Sequence, residues 1–378
     1  MKARALLLTM ATVMAACTAA PQPAASKSSA SASASTSVGG SGSPAVTPPE
    51  PSPSPTPMHN PSLPAYEFDT GASGAYPPTY LLTSEGVPNA AGLSCRLPVY
   101  AGGPGSGGFV VLPDRTFVAD PRSAVTVPSP PAGATPPAGP GFQGWFGTTY
   151  DKGLAKWLPV MYQWVSPDGR HYAYPLGTGI DVVDAGTSAQ TVIGAGRAWQ
   201  ILDVGNTSVT AEPQGQPGLW TVPFSGSPTQ ITAGGYWQAI GGGAAYGTTT
   251  SAVPLGVATQ IIRLDLSKGT TQPWFQVDGA VTSVIGFDAA GHPLMVVSPQ
   301  GGGYSSANPF PYQTYVWLVR GLGDASVLTG GNLNSAPIAD SHGIWLSGGA
   351  GSSGIYLYTG HAMQWVANIG AQLAGECS

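Results

Sequence analysis

The chain has 378 residues, with 13 Lys plus Arg, 18 Asp plus Glu and a formal net charge of −5 at pH 7. Charged residues are 8% of the total, far below the usual quarter, and no stretch is basic enough to mark a nucleic-acid partner. The 54 Gly and 38 Pro point to many turns. No window beyond the first residues carries a 3.6-residue apolar period, so an all-β fold is expected.

Residues 1–16 place Lys2 and Arg4 before Ala5-Leu6-Leu7-Leu8, with Ala15-Ala16 ahead of Cys17. A basic start, a short apolar centre and small residues at the cut are the layout of an export signal. The apolar part is too short to stay in a bilayer as a spanning helix. Met14-Ala15-Ala16-Cys17 resembles a bacterial lipobox. That resemblance implies that Cys17 is lipidated and becomes the mature N-terminus. Met14 departs from the pattern, in which Leu is commonest; an ordinary secretory signal with an incidental cysteine is the alternative.

Residues 17–64 are Ala, Ser, Pro, Thr and Gly with almost no large apolar side chain. Such a segment cannot bury enough surface to offset its ordering entropy. The prolines between Pro48 and Pro55 favour extended conformations. A disordered tether is expected, then a lead-in segment at 65–91 and a folded domain at 92–378. Asp69-Thr70-Gly71 resembles the aspartic-protease signature, but that chemistry needs two carboxylates sharing a proton and no second copy occurs. A turn leaving the tether is the simpler reading. Gly102–Gly108 lacks the Gly-Lys-Ser/Thr ending of a phosphate loop and reads as a flexible connection.

Besides Cys17, the cysteines are Cys95 and Cys377. With Cys17 lipidated, an even pair is left in an oxidising compartment. A disulfide between them would tie the first strand of the domain to the last.

The strands come as hairpins. One runs from Tyr150 through Lys152-Gly153 to Leu158. Further copies have their turns at Asp184-Ala185-Gly186, Ser225-Gly226, Ser267-Lys268-Gly269, Arg320-Gly321 and Thr359-Gly360. Alternating runs joined by Asp/Gly turns read as antiparallel hairpins, and units of about 40 residues made of short strands suggest propeller blades. Val165-Ser166-Pro167-Asp168-Gly169-Arg170-His171-Tyr172-Ala173-Tyr174 precedes Gly179-Ile180-Asp181-Val182-Val183-Asp184, and together they form most of one blade. Weaker versions lie at Gly286–Val296, Ile338–Leu346 and Val111–Val118.

Ser-Pro-Asp-Gly, two alternating tyrosines and Ile-Asp-Val-Val-Asp resemble the WD40-like propeller repeat of the Tol-system periplasmic propeller and its relatives. The resemblance is good for residues 164–187 and degenerate elsewhere; it implies a fold and no reaction. Six hairpins predict a six-bladed β-propeller. Seven blades are the alternative if Tyr66–Leu82 supplies further strands. The tryptophans at strand positions are expected to pack between blades.

The long loops are read as those between second and third strands: Pro121–Gly144, Ala211–Gly218, Gly241–Gly256, Pro299–Gln313 and Ser347–Gly354. Equivalent propeller loops share a face, and loops on a rigid scaffold are where binding resides. The richest carries Tyr304, Asn308, Phe310 and Tyr312, which are the candidate ligand-binding residues; neutral drift in tolerant loops is the alternative. His171, His292 and His342 follow equivalent turns but have no paired spacing, so neither a metal nor a cofactor is expected. Asp168, Asp184, Asp265 and Asp288 read as turn-makers. The main acids of the domain outside turns are Asp120, Asp181, Asp203, Glu212, Asp278 and Asp324.

Without paired carboxylates at a readable spacing, and without a Gly-x-Ser-x-Gly elbow, no catalytic residue is assigned. The expected role is an exported, lipid-anchored binding module at the cell envelope. Its partner would be a protein, a glycan or a small ligand, its only membrane contact the lipid anchor, and its state a monomer. A propeller-fold enzyme acting on extracellular glycans and a structural envelope protein are the alternatives.

Overall fold

The computed structural model describes residues 66–67, 88–90, 92–136, 145–249, 260–278, 280–299, 314–349 and 353–378. Within them the chain is all-β, and six sheets form the blades of a β-propeller. The first blade takes its innermost strand, Gln372–Leu373, from the far end of the chain and adds Arg96–Tyr100, Gly107–Val111 and Thr116–Ala119. The second is His171–Leu176, Gly179–Asp184 and Gln190–Ile193, with Val165 bridged to Tyr172 on the inner side.

The third blade is Trp199–Val204, Ser208–Pro213, Leu219–Pro223 and Thr229–Thr232. The fourth is Tyr236–Gly241, Ala244–Thr248, Gln260–Asp265 and Thr270–Asp278. The fifth is Ala280–Phe287, Pro293–Pro299, Tyr315–Gly321 and Asp324–Gly330. The sixth is Ile338–Asp340, Gly343–Gly348, Gly354–Tyr358 and Met363–Ala367. Tyr66–Glu67 adds a parallel strand to the outer edge of the fourth blade, pairing with Val277 and Asp278. The described start of the lead-in segment, Tyr66–Glu67, therefore extends the fourth blade.

The hairpin Thr149–Asp151 and Lys156–Leu158 stands apart as a two-stranded sheet. The sequence reading made it the outer hairpin of the first blade, a place that Gly107–Val111 and Thr116–Ala119 hold instead. Its strands wedge between blades one and two. Tyr150 and Trp157 pack on Phe109 at 4.8 and 5.5 Å between ring centres, while Leu158 joins Tyr172, Tyr174 and Val183 of the second blade. The hairpin is fixed by contacts remote in sequence: Tyr150 N–H donates to the Ala374 carbonyl at 2.7 Å, and Trp157 Nε1 to Asp120 at 3.0 Å. It follows that Pro121–Gly144 is not a loop between second and third strands. Its described part leads from the first blade to this hairpin, and the first blade's true loop of that kind is Ala101–Ser106.

Blades meet through apolar seams, as period-2 strands with both faces covered require. Leu97, Val110, Trp345 and Leu357 close the ring between blades six and one. Leu202, Trp237 and Leu264 join three to four, and Leu318, Leu346 and Tyr356 join five to six. Trp157, Trp237 and Trp345 are among the largest fully buried side chains, each contributing on the order of 2–3 kcal/mol by burial. A register shift recurs in the outer strand pairs of blades three to six, at Leu219/Trp220, Ile261/Ile262, Val316/Trp317 and Ile355/Tyr356. Such bulges increase local twist, which blades packed face to face in a ring need.

The ring is clasped at its C-terminal segment. Cys95 and Cys377 form a disulfide with Cα atoms 5.6 Å apart. Around it, Arg96 exchanges backbone hydrogen bonds with Ser378, and Cys377 N–H donates to Asp340 at 2.9 Å. Glu376 accepts from Lys152 Nζ at 2.5 Å and from the Tyr162 hydroxyl at 2.7 Å. Among the described residues no helix is long and apolar enough to cross a membrane.

Candidate functional site

In an up-and-down blade, the loop from second to third strand and the connection to the next blade leave on the same face. Their backbones touch here. Gly196 N–H donates to Thr178 O at 3.1 Å, Gly218 to Gly235 at 2.9 Å, Gly331 to Thr314 at 2.9 Å and Gly349 to Asn332 at 2.6 Å. On the opposite face the turns are tight, as at Gly242-Gly243 and Ser341-His342. The two faces thus differ: one carries the long connections and the other carries turns and the clasp.

The turn acids serve their own turns. Asp184 accepts from Gly186 and Thr187 N–H at 3.0 and 2.7 Å. Asp265 accepts from Ser267 Oγ at 2.6 Å, which with its backbone donors holds its pKa down at about 2. Asp288 accepts from Ala290 and His292 N–H at 3.0 and 2.8 Å. The histidines are not brought together. His292 Nδ1 lies 2.9 Å from Asp288 and His342 Nδ1 lies 3.2 Å from Asp340, each within its own turn. His171 packs on Phe224, and its Nδ1 is buried without a partner. Among the described residues no group of three His, Cys, Asp or Glu could hold a metal ion.

The other acids lie in separate environments. Asp120 is held well below the usual carboxylate range by the Arg122 guanidinium and the Trp157 indole. Asp181 is fully buried in the second blade. It accepts from Tyr174 Oη and Gln190 Nε2 at 2.7 Å each, while its Oδ1 has no partner and burial pushes its pKa up. Glu212, on the second strand of blade three, accepts from Trp237 N–H of blade four, and desolvation raises its pKa to about 7. Asp203 is on the same ladder, its pKa also raised by burial, but it pairs across from Thr210 while Glu212 pairs with Gln200. Asp324 is exposed beside Arg320 at 3.5 Å. The Asp278 side chain lies outside the described residues, as do Cys17, Tyr304, Asn308, Phe310 and Tyr312.

Among the cavities of the described part are two at blade seams. One, of about 340 Å³, lies at the seam between the wedge hairpin and blade two, under residues 125–129. Its lysine, Lys156, already donates to the Ala185 carbonyl at 2.5 Å. The other, of about 280 Å³, lies where blade two connects to blade three. It is lined by Gly194, Gly196, Arg197, Trp199, Trp220 and their neighbours. Here the Arg197 guanidinium sits 5.3 Å from the Trp199 ring and 5.0 Å from the Trp220 ring, and the two indoles meet edge to face at 6.1 Å.

The connection is shaped for this contact. Trp199 Nε1 donates to the Gly194 carbonyl at 2.7 Å. Gly194 has φ +59°, and a Cβ there would come within 2.6 Å of that same Nε1. The sequence reading did not single out Gly194–Ala198 and missed this site. Its signals were Arg-Ala-Trp directly after Gly-Ala-Gly, and Trp220 one hairpin later.

No protein-family model matches the chain, and no curated protein matches it. Among the solved structures similar to it are two at low identity. One is dihydro-heme d1 dehydrogenase NirN in complex with DHE, at 13% identity and TM-score 0.37, covering 78% of this chain and 66% of that one. The other is a nidogen/laminin complex, at 10% identity and TM-score 0.34, covering 74% of this chain and 98% of that one. Likeness at this level gives no ground for transferring a property.

Proposed function

We propose that this protein is an exported, lipid-anchored propeller of the WD40-like kind that acts as a binding module at the cell envelope. The observation that carries the binding role is the asymmetry of its faces, with long connections on one side and tight turns on the other. The basic, apolar and small-residue order of residues 1–16 supports export, and Cys17 in its lipobox-like setting supports the anchor. The Cys95–Cys377 disulfide fits that placement, because such bonds persist in oxidising compartments. Tyr304, Asn308, Phe310 and Tyr312 belong to the same proposed surface through the connection between second and third strands of blade five.

Two measurements test this. Fractionation of cells carrying the full chain should place it with membranes, and Cys17→Ala should release it to the soluble exported fraction. Membrane retention unaffected by that change would overturn the anchor. Pull-downs from envelope extracts with the full chain should recover material that a version lacking residues 300–312 recovers less well. Equal recovery would remove that loop from the binding surface.

A further inference from the structure

We propose that the cavity between blades two and three recognises the carboxylate of an acidic saccharide unit, with Arg197 as the anion-binding group; this deepens the binding-module reading and rests on it. Five described cations of this sparsely charged chain lie within ion-pair distance of a carboxylate, Arg320 beside Asp324 among them. Arg122 holds Asp120 at 2.8 Å, Arg263 and Lys268 share Asp265 at 3.6 and 3.7 Å, and Lys152 holds Glu376 at 2.5 Å. Arg197, like Arg96, Arg115, Lys156 and Arg170, has no carboxylate within ion-pair distance among the described residues, and it alone of these lies against two indoles at a cavity. It is exposed, yet it is held by two indole faces rather than left free. Cation–π contact with two rings set 72° apart confines the guanidinium, and because Arg197 is exposed its N–H edge stays open to solvent. That edge is the fork that takes a carboxylate by two parallel hydrogen bonds.

The rest of the cavity argues for a ring behind the carboxylate. Its walls are glycine and alanine backbone, indole and Pro228, with no acidic side chain to repel an anion. Apolar C–H faces of a sugar suit such walls, while hydroxyls can reach the backbone of the connection. At about 280 Å³ the cavity falls just below the usual range of ligand sites, roughly 300–1,000 Å³. It therefore suits one ring better than a chain of them. With a single charged anchor the affinity for a monosaccharide should be weak, on the order of millimolar.

The experiment uses the full chain, with glucuronate, galacturonate, glucose, acetate and a dipeptide as probes. Binding is read by tryptophan fluorescence and by calorimetry. The expected result is that the uronates bind, with acetate, glucose and the dipeptide at least about tenfold weaker. Arg197→Gln should abolish uronate binding, and Arg197→Lys, which keeps the charge without the fork, should restore only part of it. Far-ultraviolet circular dichroism and the unfolding midpoint serve as controls, and they should be unchanged because Arg197 is exposed.

Acetate or the dipeptide binding as well as the uronates would overturn the saccharide assignment, and uronate binding by Arg197→Gln would overturn the site. Envelope polysaccharide retained equally by the wild type and by Arg197→Gln would leave the binding module standing and remove this cavity from it. Retention of nothing by either protein would count against both readings.

Discussion

Glu212 gives the most direct handle on the interior. It is 5% exposed, it accepts from the Trp237 backbone N–H, and burial raises its pKa from 4.5 to about 7. Its folded form thus binds a proton more tightly than its unfolded form. Between those two values the unfolded chain ionises while the folded one resists, so the folded state loses stability as pH rises. At 1.36 kcal/mol for each pH unit, a rise from 4.5 to about 7 sets a ceiling of about 3 kcal/mol. This penalty is absent below pH 4.5 and complete above pH 7.

Glu212→Gln keeps an oxygen for Trp237 and cannot ionise. At pH 4.5 the variant should match the wild type within about 0.5 kcal/mol, and by pH 8 it should be more stable by about 2–3 kcal/mol. Urea unfolding across that range, followed by tryptophan fluorescence, measures the difference. Parallel stability curves for the two proteins would refute the argument, since they would mean that Glu212 ionises as easily inside as outside.

The clasp and the wedge hairpin make two further predictions. The disulfide joins residues 282 apart, for which the chain-entropy expression gives about 5.6 kcal/mol. Measured losses for native bridges are typically 2–5 kcal/mol, so Cys95→Ala with Cys377→Ala should lower stability by at least about 2 kcal/mol in urea. Two titratable thiols in the denatured, unreduced propeller would instead mean that the bridge does not form. Asp120→Ala leaves the indole N–H of the buried Trp157 without its acceptor, at a cost of about 1–3 kcal/mol. Asp120→Asn, which keeps an oxygen there, should cost clearly less, and equal losses would assign the effect to Arg122.

The blade count and most outer hairpins could be read from the sequence because they rest on local chemistry. An Asp or Gly turn between two alternating runs announces itself, as at Asp184-Ala185-Gly186, which closes on its own side chain. The first blade could not be read the same way. Its inner strand, Gln372–Leu373, has two residues and comes from the other end of the chain. The Tyr150–Leu158 hairpin carries the same turn chemistry as the others; only its contacts with Ala374, Asp120 and Phe109 set it apart. The Arg197 site was hidden for a similar reason. Each residue alone is an ordinary member of a connection or strand, and the pairing of Arg197 with Trp220 exists only once blade three is folded.

The clasp also bears on how an anchored propeller would carry load. A pull on the N-terminal segment first meets the two-residue parallel ladder between Tyr66–Glu67 and the edge of blade four. An edge pairing so short can separate without disturbing the four strands beneath it. Further along, Asn89 N–H donates to the Trp365 carbonyl of blade six at 2.7 Å, and Cys95 is covalently joined to Cys377. Force arriving there passes straight into the strand that closes the ring, which is held by Arg96–Ser378, Asp340–Cys377 and Lys152–Glu376. The first blade therefore cannot be peeled from the ring by its N-terminal end while the disulfide is intact. Placing the bridge at the N-terminal entry to the first blade protects a seam that the chain's own connectivity leaves open.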